Sequence, residues 1–292
     1  MHTDNAQLHV SAPAVTESLR VRRLQPRMGA EISGLDLSTP LAPANRDEIR
    51  ALLLRHKVLV FRDQPITRQQ HLAFARAFGD IYLHPTTAKP DGAEPGIDLI
   101  SAVEARQRVK NLRFGAWHTD TSWDIRPALG GILRAIHIPE VGGDTIWVDC
   151  AAVYAGLEPD LKQTIDSLHL VHDHHSALQK VGRHQPVVAH PLVRTHPETG
   201  ELLLYVNFLQ NPSVLGWDRV DSDALIERLR REITRPEYQV RVKWEKGSVA
   251  FWDNRATLHY AVQDYGDFPR VMERVLVASD DVPHRVRAPS IA

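Results

Sequence analysis

The sequence predicts a mainly β fold, a sandwich or jelly roll with helical additions. Short apolar or alternating runs of strand length recur along the chain. Turns rich in glycine and proline separate them, as at Gly142-Gly143-Asp144 and Pro197-Glu198-Thr199-Gly200. Few segments keep helical spacing. There is no internal repeat, no Gly-x-Gly-x-x-Gly and no P-loop, so nucleotide-binding α/β folds have no support.

Taken in order, residues 1–18 are polar and read as a flexible arm, followed by a single domain over 19–292. Leu19 to Leu24 alternates apolar and charged residues, as an edge strand does. Gly29 to Leu37 is a strand with glycine bends. Ala44 to His56 places Ile49, Leu52, Leu53 and His56 on one helical face, and Lys57 to Arg62 reads as a buried strand. Thr67-Arg68-Gln69-Gln70 has the form of a capping box and predicts a helix through Phe78, ended by Gly79. His84 to Gly96 is rich in Pro, Thr and charge and reads as a mobile loop and a candidate lid. Gly131 to Ile138 and Thr145 to Val148 are strands. Leu157, Leu161, Ile165 and Leu168 mark a helix with Pro159 in its first turn. His169 to Gln185 reads as a polar, histidine-rich stretch. His190 to His196 and Glu201 to Val206 form a hairpin, and Ser222 caps a helix with Leu225, Leu229 and Ile233 inward. Val240 to Trp244, Ser248 to Trp252 and Arg274 to Ala278 are closing strands.

Composition narrows the function. The chain has 292 residues, enough for a sizeable core, and a net charge of −1, so no overall field favours nucleic acid or an anionic membrane. No apolar run is long enough to span a bilayer, and Met1 to Ser18 lacks the apolar segment of a signal peptide. The single cysteine, Cys150, excludes an intrachain disulfide and suits a reducing, cytoplasmic location; it reads as a buried small residue.

Chemistry concentrates in Trp117-His118-Thr119-Asp120-Thr121. In an extended strand, His118 and Asp120 share a face and present an imidazole beside a carboxylate. His259, in Phe251 to Tyr260, supplies a third donor. Two His and one carboxylate on one face of an octahedral ion leave positions open, the arrangement of non-haem Fe(II) oxygenases. His-x-Asp alone is weak in a chain with 16 His. His172, His174 and His175 also cluster, but without a carboxylate at ligand spacing, and His190 and His196 read as structural.

Four segments in order make the pattern specific: Lys57 to Gln64, Trp117 to Asp120, Gly142 to Thr145 and Trp252 to His259. With these the sequence, from about Val21 to Val282, resembles the taurine dioxygenase family of Fe(II)/2-oxoglutarate-dependent oxygenases. The resemblance implies a double-stranded β-helix core and self-association. It implies His118, Asp120 and His259 as iron ligands, and Arg270 with Thr145 on the far carboxylate of 2-oxoglutarate. Arg274, His84, Phe114 and Thr121 fall at substrate positions, Arg274 and His84 facing the substrate anion. The reaction implied is oxidative decarboxylation of 2-oxoglutarate by O2, giving succinate and CO2, coupled to hydroxylation of a small organic anion. Physics agrees with the arginine: a dianion needs a fixed cation, and a guanidinium grips a carboxylate through two parallel hydrogen bonds. On one strand, Arg270, Met272 and Arg274 would share a face.

Two positions depart from the taurine-using members. Thr87 stands where they carry a tyrosine, and Phe114 where they carry an asparagine. The expected substrate is therefore more apolar than taurine: an alkyl sulfonate, an alkyl sulfate ester or an aryloxyalkanoate, its tail shaped by Trp123 and the loop from Pro85 to Gly96. The competing classes are a zinc hydrolase on the same three ligands, which has no need of Thr145 and Arg270, and a binding barrel that has lost its metal, which the intact ligand set disfavours. Halogenation is disfavoured because Asp120 is present.

Overall fold

The computed structural model of the chain describes residues 19–101 and 116–286. The expected arm over 1–18 and the expected substrate residue Phe114 lie outside the described residues.

The chain opens with β1 (Arg20–Arg23), β2 (Ala30–Ser33), helix α1 (Pro43–His56), β3 (Val58–Phe61) and helix α2 (Arg68–Arg76). It continues through β4 (Ile81–Tyr82), β5 (Ile97–Ser101), β6 (Gly130–His137) and β7 (Thr145–Asp149). Two short helices follow, α3 (Cys150–Gly156) and α4 (Pro159–Ile165), then β8 (His169–His172) and α5 (His175–Lys180). After β9 (Val188–Pro191), β10 (Val193–Thr195), β11 (Leu202–Leu204) and β12 (Ser213–Val214) comes α6 (Arg219–Ile233). The chain closes with β13 (Gln239–Val242), β14 (Val249–Asp253), β15 (Thr257–Ala261) and β16 (Val271–Val277).

The large sheet runs β1-β2-β3-β14-β6-β16-β4, with β5 also on β16. Its pairs are antiparallel except β2 with β3. A smaller sheet, β13-β7-β15, faces it. Between them Trp147, Val240, Val242 and Trp244 meet Val58, Val60, Leu133, Ala250, Trp252 and Met272, so the core is a two-layer jelly roll. The outer face of the large sheet is covered by α1 and α2, where Ile49, Leu53, Leu72 and Phe74 pack on Leu59, Phe61, Ile132 and Phe251. That explains why β3 is apolar throughout: alternate residues enter different cores. A third cluster joins α3, α4 and α6 to the hairpin of β10 and β11.

Several elements differ from the sequence expectation. The capping box is present, Thr67 and Gln70 each bonding the other's backbone N–H. However, α2 ends at Arg76, and Gly79 lies beyond the cap, where an added Cβ would come 2.9 Å from Val277. The helix expected from Leu157, Leu161, Ile165 and Leu168 is α4, which starts at Pro159 and ends at Ile165; α3, capped by Asp149 on the N–H groups of Ala151 and Ala152, precedes it and was not expected. Asp218, not Ser222, caps α6, while the Ser222 hydroxyl accepts from the Val214 N–H and ties β12 down. The histidine-rich stretch from His169, for which no element was expected, holds β8 and α5. Cys150 is buried as expected, and burial raises its thiol pKa.

Candidate active site

His118 and Asp120 do not share a regular strand. His118 forms a lone antiparallel bridge with His259 of β15, each N–H donating to the other's carbonyl at 3.1 and 2.7 Å. The two imidazoles therefore face each other across the bridge, with centroids 4.1 Å apart. Asp120 follows in a turn that is completed by Thr121 at φ +56°. Its carboxylate reaches back between the rings: Oδ1 lies 3.8 Å from His118 Nε2 and Oδ2 3.9 Å from His259 Nε2. One donor atom from each of the three residues falls within 4.8 Å of the others, the one such group among the described residues.

What fixes the turn is Asn254, at the end of β14. Its Oδ1 accepts from the Asp120 N–H at 2.8 Å, and its Nδ2 donates to the Asp120 carbonyl at 2.8 Å and to the Ala128 carbonyl at 3.1 Å. Thr119 adds a hydroxyl bond to the Asn254 carbonyl at 2.6 Å. The loop bearing His118 and Asp120 is thus pinned to the strand pair bearing His259.

The donors are in ligand form. Burial pushes His259 down to about 3, with the neighbouring His118 adding to the shift. For Asp120 burial works upward, but Arg274 and the two imidazoles outweigh it and hold the carboxyl well below its usual range. His118 Nδ1 faces the Ala116 carbonyl at 2.7 Å, so that nitrogen carries the proton and Nε2 keeps its lone pair. Asp120 Oδ2 is buried without a hydrogen-bond partner. A buried carboxylate oxygen orphaned between two imidazoles is what an ion with bonds of about 2 Å would satisfy, so the residues fit a divalent metal.

His118 and His259 line a mainly apolar cavity with Leu133, Trp147, Leu209 and Trp252, and Thr145, Arg270 and Arg274 enter the same space. Arg270 is buried, and burial lowers its pKa. Its Nε donates to the Gly143 carbonyl at 2.8 Å and its Nη2 approaches Thr145 Oγ1 at 3.4 Å. Gly143 has φ +73°, which favours glycine, and a Cβ there would sit 3.0 Å from Arg270 Cδ and crowd that side chain. The Thr145 oxygen also accepts from Trp244 Nε1 at 3.0 Å, which leaves its own proton for an incoming acceptor. Among the described residues no carboxylate pairs with Arg270.

Arg274 differs. Its Nη1 donates to Asp120 Oδ1 at 2.6 Å, and Nη2 and Nε reach Asp98 Oδ2 at 2.9 and 3.3 Å. Arg270 precedes β16, and a bulge falls between Val271 and Met272, yet both arginines reach the cavity. His84 stays neutral, pushed down to about 2 by burial and by Arg274, and its Nδ1 accepts from the Thr87 hydroxyl at 2.9 Å. It packs edge-on against Trp123, which His174 stacks at 5.0 Å. The Thr121 hydroxyl accepts from the Ala128 N–H at 2.8 Å. His172 bonds Ser122, His190 the Asp124 carbonyl, and His196 the Asp253 carboxylate, so none of these joins the three-donor group.

The family model described as Taurine catabolism dioxygenase TauD, TfdA family matches residues 20–276. The chain belongs to the TauD/TfdA family. It is 38% identical to the alkylsulfatase of Acinetobacter baylyi, over 91% of this chain and 86% of that protein. It is 37% identical to an alpha-ketoglutarate-dependent sulfate ester dioxygenase of Pseudomonas putida, over 94% of each. A crystal structure of a taurine dioxygenase from Burkholderia xenovorans shares 41% identity at a TM-score of 0.78, covering 91% of this chain and 93% of that one. This TauD/TfdA protein is a 2-oxoglutarate-dependent non-haem iron dioxygenase with a jelly-roll fold, using Fe(II), 2-oxoglutarate and O2. Among its described residues no helix is long and apolar enough to cross a membrane.

Three residues of the site escaped the sequence reading. Asn254 lay within a motif read only for His259. Lys89 lay in the segment read as loop, His84 to Gly96, and Asp98 just beyond it; the apolar residues Ile97, Leu99 and Ile100 beside Asp98 were the available signal for β5.

Proposed function

We propose that His118, Asp120 and His259 hold the iron, that Arg270 and Thr145 hold the far carboxylate of 2-oxoglutarate, and that the substrate is a small organic anion. The candidate substrates are an alkyl sulfate ester, an alkyl sulfonate or an aryloxyalkanoate. The observation that carries this reading is Arg270: a buried guanidinium with no carboxylate partner among the described residues, in one cavity with His118 and His259. Removing one partner from a buried ion pair costs roughly 3–5 kcal/mol, so a cation kept in this state awaits an anion.

When bound, the iron supplies O2 activation and hydroxylation of a C–H bond, with 2-oxoglutarate leaving as succinate and CO2. The side chains do the rest. Asp120 and the two imidazoles meet the metal deprotonated, so no proton must leave first. Arg270 accepts the far carboxylate in its planar fork, and the Thr145 hydroxyl donates to the same group. Trp147, Trp252 and Leu133 keep water from the reacting space. Arg274, Thr87 and His84 form a polar corner beside Asp120, and Trp123 borders it with an apolar face. Where the hydroxylated carbon bears a sulfate, the C–O bond to sulfate breaks. Its electron pair leaves with the sulfate, the new hydroxyl loses its proton to solvent, and an aldehyde remains.

Succinate release from Fe(II)-loaded enzyme, measured with octyl sulfate, octanesulfonate and 2-phenoxypropionate, tests the reading. Release coupled to loss of one of these anions supports it. Release with none of them contradicts the substrate class.

A further inference from the structure

Arg274, the cation nearest the metal-ligand carboxylate, is already neutralised from within the protein. Asp98 of β5 is buried at 1% exposure, and its Oδ2 holds two nitrogens of Arg274. An arriving anion would meet a closed ion pair. The second oxygen of Asp98, Oδ1, pairs with Lys89 Nζ, which also donates to the His84 carbonyl at 3.1 Å. Lys89 stands on the loop before β5 with its side chain 42% exposed. The charges therefore alternate from the surface inward: Lys89, Asp98, Arg274, Asp120.

We infer that Lys89 is a specificity-determining residue, the charge that makes this corner select an organic monoanion. This rests on the function proposed above. With Asp120 committed to the metal, Lys89, Asp98 and Arg274 together carry one net positive charge, the amount a sulfonate, sulfate monoester or carboxylate balances. Without Lys89 the remaining pair is neutral, and its carboxylate opposes the substrate. Lys89 acts a second way. When Arg274 turns toward the substrate, Asp98 would be a buried carboxylate losing its partner, a costly state. The ammonium on Oδ1 keeps it paired. A single carboxylate thus lends one of its two cations to the substrate and is retained by the other.

The test is steady-state kinetics on the best of octyl sulfate, octanesulfonate and 2-phenoxypropionate, with the parent and the Lys89→Met, Lys89→Arg, Asp98→Asn and K89M/D98N variants. Lys89→Met lowers kcat/KM at least about tenfold, the loss residing in KM, as removal of one charge close to a partly buried anion requires. Lys89→Arg recovers most of it. Asp98→Asn lowers KM for the anion by releasing Arg274, and K89M/D98N returns toward the parent, because the carboxylate that Lys89 offsets is gone. The KM for 2-oxoglutarate, read in the same assays, reports an intact fold. A KM for Lys89→Met within twofold of the parent overturns the inference, as does a double variant no better than Lys89→Met. A parent that releases succinate with none of the three anions overturns the substrate class, and this inference with it.

Discussion

Asn254 grips the Asp120 peptide on both sides, accepting its N–H and donating to its carbonyl, each at 2.8 Å. The residue is 1% exposed, and its Nδ2 donates in addition to the Ala128 carbonyl at 3.1 Å, which ties the amide down. It is therefore a positioning residue for the carboxylate proposed to hold the metal. Asn254→Ala is expected to weaken divalent metal binding about 10–100-fold, the usual cost of losing an outer hydrogen-bond partner. Calorimetric titration with Mn(II) measures it. The fold should survive with a loss of about 1–3 kcal/mol from the unpaired backbone groups.

Arg270→Lys keeps the charge but loses the planar fork. Lys cannot donate to the Gly143 carbonyl and present two parallel N–H groups at once. The expected result is an apparent KM for 2-oxoglutarate raised about 10- to 100-fold, worth ~1.4–2.7 kcal/mol. Thr145→Ala removes one neutral donor and should raise it less, by about 3- to 10-fold.

Acid sensitivity should come from histidines held neutral inside the fold. Burial pushes His71 in α2 down to about 3, Arg134 adds to the shift, and a contact from its Nε2 to the Ile132 carbonyl at 3.1 Å opposes it. The unfolded chain protonates the same ring near 6.5. Between these values the unfolded state binds the extra proton, so stability is full above about 6.5 and falls as pH drops toward 3, by up to ~1.4 kcal/mol per pH unit for one such group. Urea unfolding midpoints at pH 7.5 and about 5.5 measure the slope. It should be shallower in His71→Gln, and not abolished, because burial also lowers His172 and His190.

The Trp252 indole lies flat over Gly131 of β6, where an added Cβ would fall 2.2 Å from the ring. Trp252 is buried, and its ring centroid is 5.2 Å from that of His259. Gly131→Ala should therefore destabilise by about 1–3 kcal/mol through overpacking and disturb His259, the proposed ligand, as well. Urea denaturation reads the first effect, and Mn(II) titration the second. Trp252→Phe in the Gly131→Ala background should recover part of the stability.

Much of this was legible in the sequence, for reasons that can be named. The three donors and Thr145 sit in segments whose chemistry and spacing are unusual together, Arg270 followed only from the family resemblance, and the capping box at Thr67 is a local signal that tertiary contacts did not override. What was lost depends on non-local facts. Helix α3 follows β7 directly, with Asp149 serving as strand end and helix cap at once, so no turn residue announces it. Asp218 and Ser222 are both capping types four residues apart, and only the bond from Val214 to Ser222 decides between them. His172 is polar in sequence yet buried against Ser122, which masks the alternation of β8. Asp98 interrupts an apolar strand with a charge whose partners are nine and 176 positions away. The pairing of His118 with His259 is of the same kind: the bridge that sets their rings 4.1 Å apart joins residues from opposite halves of the chain.

The central claim is that one cavity joins a three-residue iron site to an arginine that holds 2-oxoglutarate. Anaerobic titration of the Fe(II)-loaded protein with 2-oxoglutarate, followed through the weak visible charge-transfer band of the chelate, tests it most directly. The account expects a saturable band in the parent, its loss in His118→Ala, and a much higher 2-oxoglutarate requirement in Arg270→Ala. An iron-loaded parent that gives no band would contradict it.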